Sequence, residues 1–186
     1  MACSILMTAC ASAHSNEIVA EGEVPVRLAD SYSFTEGPAA DAMGNVYFTD
    51  QPNNRIYRWD CESGEITLFT DQSGRSNGMY FDAQGNLIAC ADMDNQLWSF
   101  NMKGQHNILV SAYREKLLNG PNDVWIAKDG SYYLTDPYFK RDYWTRDTIP
   151  EDWTANVCFG GKERNILFIT ASKSVYTLKM LVHGLK

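Results

Sequence analysis

Three stretches of the chain follow one plan: Glu36-Gly-Pro-Ala-Ala-Asp-Ala-Met-Gly-Asn-Val-Tyr-Phe-Thr-Asp50, Asn77-Gly-Met-Tyr-Phe-Asp-Ala-Gln-Gly-Asn-Leu-Ile-Ala-Cys90 and Asn122-Asp-Val-Trp-Ile-Ala-Lys-Asp-Gly-Ser-Tyr-Tyr-Leu-Thr-Asp136. Each opens on a carboxylate or carboxamide, reaches Gly-Asn or Gly-Ser eight residues later (Gly44, Gly85, Gly130), and continues as an apolar run. A weaker fourth copy runs from Asn156-Val-Cys-Phe-Gly-Gly161 to Leu167-Phe-Ile-Thr-Ala171. Gly-Asn and Asp-Gly between apolar runs signal hairpins, because Gly and Asn tolerate the positive φ that such turns need.

Beyond each hairpin lies another alternating segment: Arg55–Trp59, Gln96–Phe100 and Ser174–Leu178. Two units add a further short strand, Ile66–Phe69 and Asn107–Val110. Glu36 and Asn77 are 41 residues apart, and Asn77 and Asn122 are 45 apart. Four-stranded units at this period are the signature of propeller blades. The chain is therefore expected to be all-β, a β-propeller of four-stranded antiparallel blades with no helix of any length. A blade cannot bury both faces alone, so blades stack around an axis. The lone alternating segment Glu23-Val-Pro-Val-Arg-Leu28 is expected to pair outside the last unit, Lys173 to Val182.

One interval breaks the period. Only 34 residues separate Asn122 from Asn156, and Tyr138 to Trp153 lacks strand-like alternation. The text around Asp147-Thr-Ile-Pro150 reads as a seam, near residues 146–152. About four blades in an incomplete ring are expected, with the propeller over residues 21–186 and a tail over residues 1–20.

Composition agrees. Of 186 residues, 45% are hydrophobic, 21% charged and 12% aromatic, the range of a globular protein with rings suited to pleated surfaces. The net charge of −7 repels phosphate backbones, and Lys140-Arg141 and Lys162-Glu163-Arg164 are too sparse to offset it, so nucleic acid is excluded as a partner. The five Cys show no C-x-x-C spacing; no structural zinc, redox motif or disulfide framework is expected, and Cys90 and Cys158 read as small buried hydrophobes. Met1 to Ala13 is uncharged and apolar, too short to cross a bilayer, and ends on Ala11-Ser12-Ala13. A clipped export signal and a disordered tail both stay open, and with them an exported or a cytoplasmic location. No transmembrane span is expected, and the oligomeric state is not readable.

Rotational symmetry gives the leading residues their interest. Glu36, Asn77, Asn122 and Asn156 each begin the innermost strand of a unit, so they should converge on one mouth of the channel. One carboxylate with several amide carbonyls makes an all-oxygen cage suited to a hard cation such as Ca2+ or Mg2+. The competing reading is local: Asn before Gly or Asp is a frequent turn residue that bonds its own backbone. Arg75 precedes Asn77 at the same mouth and could grip a substrate oxygen. Tyr138, with Phe139, Tyr143 and Trp144, could wall a sugar-ring pocket or plug the ring. His14, His106 and His183 are scattered, and no nucleophile motif is present. Asp50 and Asp136, at the ends of Thr-Asp pairs, read as turn caps.

Glu36-Gly-Pro38, Asn119-Gly-Pro-Asn-Asp123, Leu134-Thr-Asp-Pro-Tyr138 and Thr154-Ala-Asn-Val-Cys-Phe-Gly-Gly161 with Leu167–Ala171 resemble the senescence-marker-protein/gluconolactonase/luciferin-regenerating family. The similarity runs from about Val24 to Val182. It implies a six-bladed propeller with one divalent metal in the channel, often calcium but also Mg2+, Zn2+ or Mn2+, and hydrolysis of sugar-type or other small lactones. It implies Glu36 as the blade-one carboxylate ligand and Asn122 as the Asn beside the metal, in contact with metal or substrate. Asn77 and Asn156 as candidate donors to metal or substrate rest on the repeat symmetry alone, and Arg75 and Tyr138 against the substrate on their place in the chain. Two family ligands find no match: an Asn in a Pro-Asn-Gly turn of the fourth blade, and an Asp in an Asp-Gly turn of the fifth that would also serve as base. The resemblance thus implies a member without blades four and five, its lactonase activity impaired. Two alternatives remain: a non-catalytic propeller or binding scaffold, and an organophosphate or aryl-ester hydrolase of related type.

Overall fold

The computed structural model of the chain describes residues 24–137, 154–160, 162–163, 165–171 and 174–181. The chain divides into two units, Met1–Ser31 and Tyr32–Lys186. In the first, residues 24–31 carry no strand and are mostly exposed, with an ion pair between Arg27 and Asp30 at 3.3 Å. The strand expected over Val24 to Leu28 is therefore not formed. Alternation defines a face but does not by itself make a strand.

The second unit is all-β. Its first sheet is an up-and-down antiparallel meander of β1 (Thr35–Ala40), β2 (Val46–Asp50), β3 (Arg55–Trp59) and β4 (Ile66–Thr70), with a single 3-10 turn at Gln51–Asn53. The second repeats it with β5 (Ser76–Phe81), β6 (Leu87–Ala91), β7 (Gln96–Phe100) and β8 (His106–Val110). A small hairpin follows, β9 (Ala112–Tyr113) with β10 (Lys116–Leu117). The third repeat supplies the pair β11 (Val124–Ile126) and β12 (Tyr132–Leu134). The last sheet has three strands, β13 (Thr154–Gly160), β14 (Ile166–Ala171) and β15 (Ser174–Lys179). Two blades are thus complete, and among the described residues two are partial. The seam near 146–152 lies outside the described residues.

The hairpins stand where Gly-Asn placed them, with a tighter chemistry than a two-residue turn. Asp41 accepts backbone N–H bonds from Met43 at 2.9 Å and Asn45 at 3.0 Å, and the Asn45 carboxamide donates to its second oxygen at 2.9 Å. Asp82 repeats this with Gln84 and Asn86. Only the glycine takes positive φ, +92° at Gly44 and +82° at Gly85. Asn45 and Asn86 act through their side chains, not through left-handed backbone. The result is a type I turn closed by a left-handed Gly, a three-residue hairpin loop.

Blade-on-blade packing explains the composition of the strands. Along β6, Leu87, Ala89 and Ala91 join Tyr47, Ile56 and Phe100 in a core between the first and second blades, while Ile88 and Cys90 join Leu97, Val124 and Ile126 on the opposite side. Both faces are covered, so this strand reads as an unbroken apolar run and is buried throughout. Tyr47 is 1% exposed and lies edge-on to Phe69 at 5.1 Å and Phe81 at 5.2 Å, tying the first blade to the second. Burial of this kind contributes about 1.5–3 kcal/mol for each large side chain. Cys90 is fully buried, and burial pushes its thiol pKa well up, which keeps it inert.

Candidate functional site

The innermost strand of each unit is interrupted by a bulge at its leading residue. In β1 the register slips between Glu36, opposite Thr49, and Ala39, opposite Tyr47. In β5 it slips between Ser76 and Met79, and in β13 between Thr154 and Asn156. In the third unit the N–H of Asn122 donates to the Thr135 carbonyl at 2.9 Å, that of Asp123 to the Thr135 hydroxyl at 3.0 Å, and Thr135 donates back to Asp123 at 2.9 Å. Two residues thus face one. A bulge bends the strand and re-aims its side chains, and bulges gather beside functional sites.

The bulges seat on one another around the axis. A Cβ on Gly37 would run into the carbonyl of Asn77, and a Cβ on Gly78 would run into the carboxylate of Asp123 and stand 2.7 Å from the Asn122 carbonyl. The N–H of Gly78 donates to that carbonyl at 2.6 Å. Only a residue without a side chain permits such an approach. The backbones of Glu36-Gly37, Asn77-Gly78 and Asn122-Asp123 are therefore brought together in sequence, with β11 also touching β13. Glu36, Asn77 and Asn122 are half-buried. In β13 the slip precedes Asn156, which pairs with Thr170, whereas in β1 it follows Glu36, so Asn156 stands on the other side of its bulge; its side chain lies outside the described residues, as does the whole of Tyr138.

The third unit departs from the others where they have glycine. Asp123 fills the step held by Gly37 and Gly78, and its carboxylate projects across Gly78. Burial raises its pKa; the Val124 N–H, donating at 3.0 Å, opposes this, and the negative charge of Glu36 adds to it, so the carboxyl sits above its ordinary value. Asp123 was not singled out as a site residue, although the change from Gly to Asp at a fixed step of the repeat is visible in the sequence. Among the described residues no three His, Cys, Asp or Glu side chains gather as a metal site.

Arg75 stands two residues before Asn77 with φ +52°. Its N–H donates to the Asn54 side-chain oxygen at 2.8 Å, while its Nε is buried with no hydrogen-bond partner among the described residues. Left-handed backbone at a bulky residue costs about 1–3 kcal/mol and gathers at functional sites.

Two aspartates hold the approaches to the bulges. Asp50, at the end of β2, accepts the N–H groups of Ser33 and Phe34, each at 3.1 Å, and the Asn53 carboxamide at 2.8 Å. Burial pushes its pKa up, but these donors and the charge of Arg55 outweigh it and leave the carboxyl below its ordinary value. Asp136 accepts the N–H groups of Asn119, at 2.8 and 2.9 Å to its two oxygens, and Gly120 at 2.8 Å. There burial dominates, the donors of Asn119 and Gly120 offset only part of it, and the pKa lies above the ordinary value.

Stacked four-stranded meanders whose inner-strand bulges seat side by side define a β-propeller. The family model for the SMP-30/Gluconolactonase/LRE-like region matches residues 34–147, and the chain belongs to that family. A gluconolactonase of Zymomonas mobilis subsp. mobilis is 27% identical over 125 residues, covering 59% of this chain and 35% of that protein. The chain thus spans about a third of the length of the curated relative it matches. Among solved structures, the gluconolactonase XC5397 of Xanthomonas campestris superposes with a TM-score of 0.71 at 23% identity, over 85% of this chain and 62% of that one. A virginiamycin B lyase of Staphylococcus aureus superposes at 0.53 and 13% identity, over 79% of this chain and 56% of that one. These two likenesses speak for the fold alone.

Proposed function

We propose that the chain hydrolyses a small lactone, of sugar type or a related ring, with a divalent cation held at the mouth by Glu36 and Asn122. The observation that carries this reading is the seating of Gly37 on Asn77 and of Gly78 on Asn122-Asp123, in a chain of the gluconolactonase-like family. The donors fit a hard cation in kind: a carboxylate at Glu36, carboxamides at Asn77 and Asn122, and a second carboxylate at Asp123, all oxygen. Ca2+ suits them first, with Mg2+, Mn2+ and Zn2+ as alternatives; Asn156 is a further candidate donor. Glu36 and Asp123 repel each other, and a cation between such groups relieves that repulsion.

When bound, the cation supplies polarisation of the lactone carbonyl and a water acidic enough to attack it near neutral pH. The remaining steps belong to the chain. Arg75, two residues before Asn77 and with a buried Nε that has no hydrogen-bond partner among the described residues, is the candidate to take a ring or hydroxyl oxygen of the substrate and fix its orientation. Water adds to the carbonyl carbon, the ring C–O bond breaks, and the released oxygen takes up a proton to give a hydroxy acid. Tyr138 is a second candidate for the sugar face. Two family donors have no match here, so cation affinity and turnover are expected below those of a full-length relative.

The test is hydrolysis of a γ-lactone by the 186-residue chain with Ca2+, Mg2+, Mn2+ or Zn2+, each with and without chelator. Turnover abolished by chelator supports the reading. Absence of turnover with all four overturns it in favour of a non-catalytic scaffold, and faster cleavage of a phosphotriester moves it to the ester-hydrolase class.

A further inference from the structure

Glu36 and Asn122 share a feature that Asn77 lacks. Each has an aspartate 14 residues later, Asp50 and Asp136, that accepts the two N–H groups lying three and two residues ahead of it: Ser33 and Phe34 before Glu36, Asn119 and Gly120 before Asn122. Thr35 pairs with Asp50, and the corresponding pair in the second blade is Ser76 with Ala91. There the amide two residues ahead of Asn77, that of Arg75, goes instead to the neutral side chain of Asn54, supplied by the first blade. An ionised acceptor taking two N–H groups holds its segment about twice as strongly as a neutral one. Charged straps therefore stand behind two of the leading residues, and a neutral one behind the third.

We infer that Asp50 and Asp136 are positioning residues, which fix the backbone entering the β1 and third-unit bulges and so aim Glu36 and Asn122 at a common cation. This rests on the proposed cation site and extends it to residues that touch neither cation nor substrate. Each strap anchors one side of the bulge while the β-ladder anchors the other, leaving the leading residue no freedom to swing about its own segment. Groups that orient ligands in this way typically govern about 10- to 100-fold of metal affinity.

The test is Ca2+ binding to the full chain by calorimetry, alongside thermal unfolding, for Asp50→Asn and Asp136→Asn. Asp41→Asn and Asp82→Asn are the comparison, because those aspartates hold hairpin turns at the other end of the inner strands through the same kind of N–H donations. Whatever the change in stability, only the first two should lose Ca2+ affinity, by about 10-fold or more. A folded Asp50→Asn or Asp136→Asn chain with wild-type affinity overturns the inference, as does an equal loss in the hairpin variants. Should neither variant fold, amide exchange in the wild-type chain decides: saturation with Ca2+ should slow exchange at Phe34 and Gly120 and leave Asn45 and Asn86 unchanged, and no slowing overturns it. A wild-type chain that binds none of Ca2+, Mg2+, Mn2+ and Zn2+ sinks the cation site itself, a result distinct from both.

Discussion

Gly37 of the first blade is seated on the carbonyl of Asn77 in the second, so closely that a Cβ there would overlap it. The neighbouring atoms are backbone, which cannot rotate away, and φ at Gly37 is +52°, a region that disfavours any side chain. Gly37→Ala is therefore expected to lower stability by about 2 kcal/mol or more, combining left-handed strain with displacement of one blade from the next. Gly64, with φ +73° and open space around it, isolates the strain alone. Gly64→Ala should cost about 1 kcal/mol. Urea unfolding of the two variants checks the difference; equal losses would show that the seating contributes nothing.

Thr49 and Thr135 occupy the same place behind their bulges but differ in what their hydroxyls do. Both are buried; the Thr135 hydroxyl accepts the Asp123 N–H at 3.0 Å, whereas the Thr49 hydroxyl has no partner among the described residues. A buried polar group without a partner costs about 1–3 kcal/mol, and replacing it by an apolar group of like shape removes that cost. Thr49→Val should leave stability unchanged or raise it by about 1 kcal/mol, while Thr135→Val should lower it by about 1 kcal/mol or more. The opposite order in thermal unfolding would refute the assignment of partners.

Much of this fold was open to sequence reading because its turns are chemical, not merely polar. The spacing Asp41-x-x-Gly44-Asn45, repeated at Asp82-x-x-Gly85-Asn86, specifies a carboxylate acceptor, a left-handed glycine and a carboxamide donor, and these set the hairpins and hence the period. The β9–β10 hairpin escaped notice because Arg114 and Glu115, at φ +48° and +65°, form its turn without Gly or Asn. Asp123 escaped for a different reason. The change from Gly to Asp at its step is visible in the repeat, but its projection across Gly78 is a relation between blades that the repeat does not record. The Asn54 side chain that holds the Arg75 amide likewise comes from 21 residues away. Val24 to Leu28 shows the converse, a strand-like alternation that forms no strand.

Acid should separate the carboxyls by sign. Asp50 has a folded pKa below its ordinary value, so it contributes stability that is complete above the unfolded pKa and is lost as pH falls through the folded one. Asp123 and Asp136 have folded values above the ordinary one, so their penalty is complete at neutral pH and is relieved as pH falls through those raised values. Asp50→Asn should therefore flatten the acid-side loss of stability below about pH 5, and Asp123→Asn should steepen it. Unfolding free energies from pH 7 to pH 3 provide the check; a common slope in both variants would contradict the opposed shifts.

Arg75 should set stability against function. Its φ of +52° belongs to the turn Gly74-Arg75 that the Ser76 N–H closes onto the Ser73 carbonyl at 3.2 Å, a conformation that favours glycine. Its buried Nε has no hydrogen-bond partner among the described residues, so that atom is not explained by the fold. Arg75→Gly relieves the left-handed strain, while the added freedom of the unfolded chain and the lost side-chain packing offset part of the gain. Stability is expected to rise by about 0.5 kcal/mol or to hold. If the guanidinium holds substrate, KM for a lactone should rise about tenfold or more, the loss of one charged hydrogen bond, while calcium affinity stays within about twofold. Arg75→Lys restores the charge but not the paired donors and should recover only part of the affinity for substrate. A marked fall in stability with no change in KM would assign Arg75 to the fold instead, through packing that the buried Nε does not reveal.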